Sequence, residues 1–290
     1  MSPSVIGIIG GSGLYQIDGL ADVEWRSVES PFGRPSDDIC FGTLGGARIA
    51  FLPRHGRGHE IPPSEIPFRA NIDALKRCGV ADIVSLSAVG SLREDLAPGD
   101  FVVIDQFVDQ TFARAKSFFG TGCVAHVSMA RPVCARLGAA LAQAGGPSMK
   151  RGGTYLVMEG PQFSSRAESE LYRRMGYDVI GMTNMPEAKL AREAEICYAT
   201  VAMVTDYDCW HEVHGAVTVG EIVAVLRANA EKAKAVVKAV VPLVAAHRGP
   251  CPEGCRHALE NALITAPERR DPAFVARLDA VAGRVLRRRD

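Results

Sequence analysis

The apolar and polar positions along the chain fall into short runs that predict strands and helices in turn. Val5 to Ile9, Arg48 to Leu52, Asp82 to Val89, Phe101 to Phe107, Gly153 to Glu159 and Asp178 to Met182 each read as a strand ended by a turn. The run from Ile196 to Val204 is apolar with few breaks, rich in β-branched residues and bounded by charge, as a fully buried strand requires. Between the strands, Phe68 to Cys78 places Phe68, Ile72 and Leu75 at helical spacing, with Gly79 as its stop. Further helices are predicted over Arg131 to Ala144, over Arg166 to Met175 with Ser164 and Ser165 as candidate caps, and over Glu187 to Glu195 behind Pro186. Val219 to His247 reads as a long Ala/Val-rich helix interrupted or ended near Pro242, and the basic tail from Arg269 to Asp290 reads as a solvated terminal helix. Thr111 to Val127, with glycines at 120 and 122, is predicted to be a long functional loop. Strands and helices alternate with no repeat or linker. The expectation is a single α/β domain with a mostly parallel or mixed central sheet flanked by helices.

Composition narrows the function. The chain has 290 residues, 47% of them hydrophobic, and 33 basic residues against 33 acidic ones, so a sizeable core is available and no bulk basic field is. A nucleic-acid binder of the usual basic kind is not expected, while a small anion held in a local pocket is. No apolar run approaches about 18 residues, so no membrane span is expected. The first residues lack a basic start, so no signal peptide and a cytoplasmic location are expected. The eight cysteines read as reduced thiols in a core. Cys251 and Cys255 form a C-x3-C pair without a second Cys pair beside it, and read as plain thiols rather than half a metal site. His55 and His59 are four apart, but Gly56 and Gly58 break the helix that a metal pair would need. Neither a metal nor a cofactor is expected.

Polar groups cluster where strands end, which is where open α/β sheets bind ligands. Gly10-Gly-Ser-Gly13 can cradle an oxyanion on its amides, with Ser12 adding a hydroxyl. Arg54 can grip a phosphate bidentately and His55 can add a donor, although a surface turn is the commoner setting for such a pair. Ser87, Ala88 and Gly90 are small enough to let a ligand approach the backbone. Asp206 and Asp208 follow the buried strand, and two acids two residues apart on extended chain point to the same side. They can accept from a donor-rich ligand, or one can hold a proton raised by burial and a like charge, or either can cap the next helix.

Taken in order, the motifs Gly-Gly-Ser-Gly-Leu14, Arg54-His55-Gly56, Ser87-Ala88-Val-Gly90, Glu159-Gly-Pro-Gln-Phe163, Gly181-Met-Thr-Asn-Met-Pro-Glu187 and Thr205-Asp-Tyr-Asp-Cys-Trp210 resemble the trimeric purine nucleoside phosphorylase family. The resemblance covers Val5 to about Ala246, leaving a helical extension over about 255–290 within one domain spanning 1–290. It implies a homotrimer and reversible phosphorolysis, in which methylthioadenosine and phosphate, a co-substrate, give adenine and methylthioribose 1-phosphate. It implies a phosphate site of Ser12, Arg54, His55, Ser87, Ala88 and Thr183. Met182 would pack on the ribose, and Phe163 and Tyr207 would lie by the base. Asp206 would act as the acid at the purine N7, and Asp208 would read the exocyclic amine. Specificity at the 5′ end would fall to Ser164, Val219 and Ile222, with His126 reaching in from a neighbouring subunit and Ala262 to Thr265 closing the pocket. Gly181 stands where many relatives carry Asn, which leaves a broader purine or methylthioinosine phosphorylase as the alternative. A non-catalytic nucleoside-binding protein on the same fold is a more distant one.

Overall fold

The apolar runs become strands of one sheet, eleven strands among the described residues. The computed structural model describes residues 5–11, 14, 16–211, 219–247 and 249–287. In chain order the strands are β1 (Val5–Gly10), β2 (Ala21–Arg26), β3 (Ile39–Leu44), β4 (Ala47–Pro53), β5 (Val80–Ser91), β6 (Phe101–Val103), β7 (Gln106–Asp109), β8 (Met149–Arg151), β9 (Thr154–Val157), β10 (Val179–Gly181) and β11 (Cys197–Asp206). The helices are α1 (Phe68–Arg77), α2 (Ala135–Gly145), α3 (Arg166–Arg174), α4 (Asn184–Glu193), α5 (Val219–Ala246), α6 (Pro272–Arg277) and α7 (Gly283–Leu286). The sheet is mixed: β4, β1, β5 and β11 run parallel, while β10 meets the far end of β5 antiparallel.

β11 is the buried strand that its pattern predicts. Its even positions Tyr198, Ala202 and Val204 face one core, shared with Ile72 and Leu75 of α1 and Leu190 of α4. Its odd positions Ala199, Val201 and Met203 face a second core, with Leu137 and Leu141 of α2 and Val237 and Val241 of α5. A side-chain period of two thus puts one helical layer on each face.

Several elements depart from the pattern. The Phe101–Phe107 run splits, because the chain leaves the β11 edge at Ile104, whose amide donates to the Thr200 carbonyl (3.3 Å), and joins β9 at Gln106. β2 and β3 were not legible: β2 is a largely exposed edge strand, and its polar sequence becomes a strand through pairing with β3. α5 runs on through Pro242. Pro242 and Lys238 are both exposed, so the carbonyl that loses its partner lies on a face open to water. The basic tail is not a solvated helix. It folds back as α6 and α7, burying Leu278, Val281 and Ala282, and Arg284 donates to Glu195 at 2.7 and 2.8 Å. Among the described residues, no helix is long and apolar enough to cross a membrane.

Candidate functional site

β5 forks the sheet at its C-terminal end, with β11 on one side and β10 on the other, and the polar strand ends converge around that fork. A cavity of about 320 Å³ opens there, lined by Arg54, His55, Ser87, Ala88 and Thr183 together with Gly11, Leu14, His59, Met203 and Arg227. Five of the six residues expected to hold an anion are therefore brought together. Ser12 lies outside the described residues. Ala88 is the one exposed position within the buried body of β5, so the strand turns a small side chain toward open space.

The Arg54 guanidinium is 2% exposed and already heavily engaged. Its Nε and Nη2 donate to Glu187 at 2.8 and 3.1 Å, Nη2 also donates to Ser85 Oγ (2.7 Å), and Nη1 donates to the Leu86 carbonyl (3.0 Å). A bidentate fork toward a ligand is not open in this arrangement, since a single Nη1 hydrogen remains. Arg54 instead supplies a fixed charge, held by Glu187, whose Oε1 also accepts from Ser85 (2.8 Å) and Tyr198 (2.8 Å). Asn184 ties the same knot through Ser85 and Tyr198. Every member of this buried set has a partner, which is what keeps an ion pair tolerable away from water. Burial works to lower the Arg54 pKa, but Glu187, with Tyr198 and Tyr155 adding to it, more than offsets this and the pKa is raised.

His55 also differs from the expectation of a donor. Its Nδ1 lies 2.8 Å from the Ile61 carbonyl, which can only accept, so Nδ1 carries the hydrogen. Burial, with the charge of Arg54 adding to it, lowers the ring pKa to about 4. The neutral ring then presents Nε2 as an acceptor. Beside it, the Ser87 hydroxyl is 3.0 Å from Thr183 Oγ1 and 3.0 Å from the Tyr155 hydroxyl.

Asp206 ends β11, and Asp208 is 6% exposed. They do not converge by strand alternation. The register with β5 slips between Val204 and Asp206, and Asp208 takes φ +52, a left-handed turn. Both acids instead crowd the face of Gly90, where a Cβ would come within 2.9 Å of Asp206 Oδ1 and 3.4 Å of Asp208 Cβ. Asp206 Oδ2 accepts from the Thr205 hydroxyl (2.7 Å) and Oδ1 from the Asp208 amide (2.8 Å). Burial raises the pKa of both acids. Asp208 Oδ2 is buried without a hydrogen-bond partner, with the hydroxyls of Ser169 and Ser164 facing the carboxyl. A buried acceptor left open in this way is suited to a donor from outside the fold.

The remaining expected residues are spread around these acids. Met182 sits over Gly160, whose missing Cβ leaves room for the thioether. Its carbonyl is fixed by Arg114 Nη1 (2.6 Å), and Arg114 in turn grips Glu159 (3.0 Å). Glu159 also accepts from the Phe112 and Ala113 amides, which with the Ser64 hydroxyl hold its pKa down at about 2 against burial. Phe163 is 53% exposed in the single chain. Ser164 is buried, its hydroxyl 3.8 Å from Met158 Sδ. The Tyr207 ring stacks on His211 with centroids 4.5 Å apart. His126 is exposed and lines a different surface groove with Lys116 and Glu193, so the chain does not bring it to its own cavity. The side chains of Val219 and Ile222 lie outside the described residues.

Gly181 has a local cause. A Cβ there would collide with the Tyr155 hydroxyl, which is fully buried and bonded to Ser87. Glycine at 181 and tyrosine at 155 therefore form one packing solution, and an Asn at 181 needs the space the phenol fills. Tyr155, Glu187, Ser85, Asn184 and Arg114 were all missed in the sequence.

Residues 5–242 match the phosphorylase superfamily. The chain is 61% identical over 287 residues to S-methyl-5′-thioadenosine phosphorylase of Cereibacter sphaeroides, covering 98% of this chain and 99% of that one. It is 62% identical over 286 residues to the enzyme of the same name from Rhodospirillum rubrum, covering 97% of each. Among solved structures, a methylthioadenosine phosphorylase from an Antarctic soil metagenomic library superposes with a TM-score of 0.91 at 49% identity, over 97% of this chain and 99% of that one. The methylthioadenosine phosphorylase of Schistosoma mansoni in complex with adenine superposes at 0.85 with 37% identity, over 89% and 98%.

Proposed function

The chain belongs to the phosphorylase superfamily, and we propose that it catalyses reversible phosphorolysis of S-methyl-5′-thioadenosine to adenine and S-methyl-5-thioribose 1-phosphate. The observation that carries this reading is the cavity at the fork of β5, where Arg54, His55, Ser87, Ala88 and Thr183 line one space. Phosphate enters as co-substrate. Arg54 supplies charge, the Ser87 and Thr183 hydroxyls donate, and neutral His55 accepts the hydrogen of a singly protonated phosphate. Ser12 completes the set. Cleavage of the glycosidic bond leaves oxocarbenium character on the sugar, and a fixed anion beneath the ring stabilises and attacks it.

The departing adenine gathers negative charge, which protonation at N7 relieves. Asp206, whose pKa is raised by burial and further by the charge of Asp208, is the proposed acid. The open oxygen of Asp208 accepts from the 6-amino group. A carbonyl in place of that amine would face an acceptor with an acceptor, at a cost of about 1–3 kcal/mol. Met182 packs on the ribose, Phe163 and Tyr207 flank the base, and Ser164, Val219 and Ile222 set the 5′ preference for an apolar thiomethyl group. In the proposed homotrimer, His126 of each chain reaches the cavity of its neighbour. The exposure of Phe112 (83%) and Phe163 in the isolated chain supports such a contact. Gly181 does not argue for a 6-oxopurine substrate, because Tyr155 already occupies the space concerned.

The test is adenine release from methylthioadenosine with and without phosphate, beside methylthioinosine and inosine. Release that requires phosphate and favours the 6-amino substrate is expected. Release without phosphate, yielding free methylthioribose, would instead make the protein a hydrolase.

A further inference from the structure

We propose that Cys134, Cys197, Cys251 and Cys255 form a tetrathiolate site for a single zinc ion, which pins the start of the C-terminal extension to the sheet. The four sulfurs lie within 4.8 Å of one another, and all four residues are buried. Cys134 Sγ and Cys251 Sγ are 3.7 Å apart, and all are free thiols. Thiolates arranged tetrahedrally at ordinary zinc–sulfur bond lengths sit about 3.8 Å from one another. That spacing fits one ion, since an iron–sulfur cluster inserts several atoms between its cysteines and needs a wider cage.

Each ligand is placed by its own element. Cys134 is the residue before α2, with extended backbone, so its sulfur sits at the helix start. Cys197 opens β11. Cys251 and Cys255 bracket a turn closed by the Gly254 amide on the Cys251 carbonyl (3.1 Å), with Gly254 at φ +67. That left-handed glycine lets four residues reverse and aim both sulfurs at one point.

Charge is matched as well. Zinc with four thiolates carries two net negative charges, which burial penalises unless cations stand near. Arg192 Nη1 is 3.6 Å from Cys255 Sγ. Arg136, bonded to Asp82, stands near Cys197, and its Nε is buried without a hydrogen-bond partner. Asp82 holds Arg136, and Arg256 at 2.9 Å, from the other side.

The position makes the site structural. β11 runs ten residues from Cys197 to Asp206, so the two ends are roughly 30 Å apart at strand rise. The ion lies at the end of the sheet away from the cavity. What it fixes is the Cys251–Cys255 turn. Downstream of that turn, Leu263 bridges to Ala125, and the Ala262 carbonyl accepts the His126 amide (2.9 Å).

Elemental analysis of the full-length protein, purified under reducing conditions without chelators, tests this. About one zinc per chain is expected, released to a chromogenic chelator only when a mercurial titrates the thiols. Cobalt substituted for zinc should show intense thiolate charge-transfer bands with tetrahedral d–d bands. Cys255→Ser and Cys134→Ser should reduce bound zinc at least tenfold and lower Tm, with kcat at low temperature nearly unchanged. If those variants do not fold, cobalt titration of the metal-stripped wild-type protein decides. Four reactive thiols that take up neither zinc nor cobalt overturn the proposal. So do a mass two hydrogens lighter per cysteine pair, iron in place of zinc, or zinc retained in full by both serine variants.

Discussion

At the residue scale, the proposed chemistry rests on burial setting protonation. Asp206 is held above the ordinary carboxylate range by desolvation, with the charge of Asp208 adding to it, against the lowering effect of Thr205 and the Asp208 amide. A general acid works only while protonated, so kcat should fall as pH rises through that raised value. Asp206→Asn should lower kcat by about 10²–10⁴-fold and remove that limb of the profile, as pH-rate measurements would show. An unchanged limb in the variant would take the acid role from Asp206. Gly181 permits a second prediction. Gly181→Asn must displace the Tyr155 phenol, and overpacking of this kind costs about 1–3 kcal/mol. Thermal unfolding should show the loss, and Tyr155→Ala added to it should recover part. Equal Tm for wild type and Gly181→Asn would mean that the phenol has somewhere else to go.

At the element scale, α4 carries two buried acids with different partners. Glu187 forms an ion pair with Arg54 (2.8 Å). Glu193 accepts from the Phe118 amide and the Ser117 hydroxyl (2.7 Å each), tying α4 to the long loop, and burial raises its pKa from 4.5 to about 7. A carboxyl whose folded pKa lies above its unfolded one stabilises fully below the unfolded value and loses that contribution as pH rises through the folded one. Stability should therefore decline between about pH 4.5 and 7 on account of Glu193. Glu193→Gln, which fixes the neutral form, should flatten the Tm profile there and raise Tm most at the alkaline end. Local signals served well for single elements. Ser165 caps α3 with Glu168 in the reciprocal arrangement that its sequence announces. They failed for β2, whose strand state depends on the neighbour it pairs with, and for the tail, where scattered apolar residues looked solvated until Leu278 and Val281 met the core.

At the scale of the whole molecule, the proposed site is completed by assembly. His126 lies in a separate groove of its own chain, so its place by a nucleoside requires a neighbour. Sedimentation equilibrium should give a mass three times the 31.0 kDa chain. A monomer that retained full activity would exclude His126 from the site.

By itself the sequence determined the alternation of strands and helices, the buried character of β11, and the polar strand ends from Arg54 to Asp208, because periodicity and turn chemistry are local properties. It also carried the family, through the order of those ends. Only the tertiary structure decided how the ends meet. Arg54 turned out to be held by Glu187, 133 positions away, and His55 proved to be an acceptor because Ile61 takes its hydrogen. Asp206 and Asp208 converge through a left-handed turn over Gly90 rather than by alternation. The cysteines make the same point. Cys251 and Cys255 read as a lone pair, and Cys134 and Cys197 join them only because a helix start and a strand start fold to the same end of the sheet. Side-chain partnership across long separations is set by packing, and no local pattern encodes it.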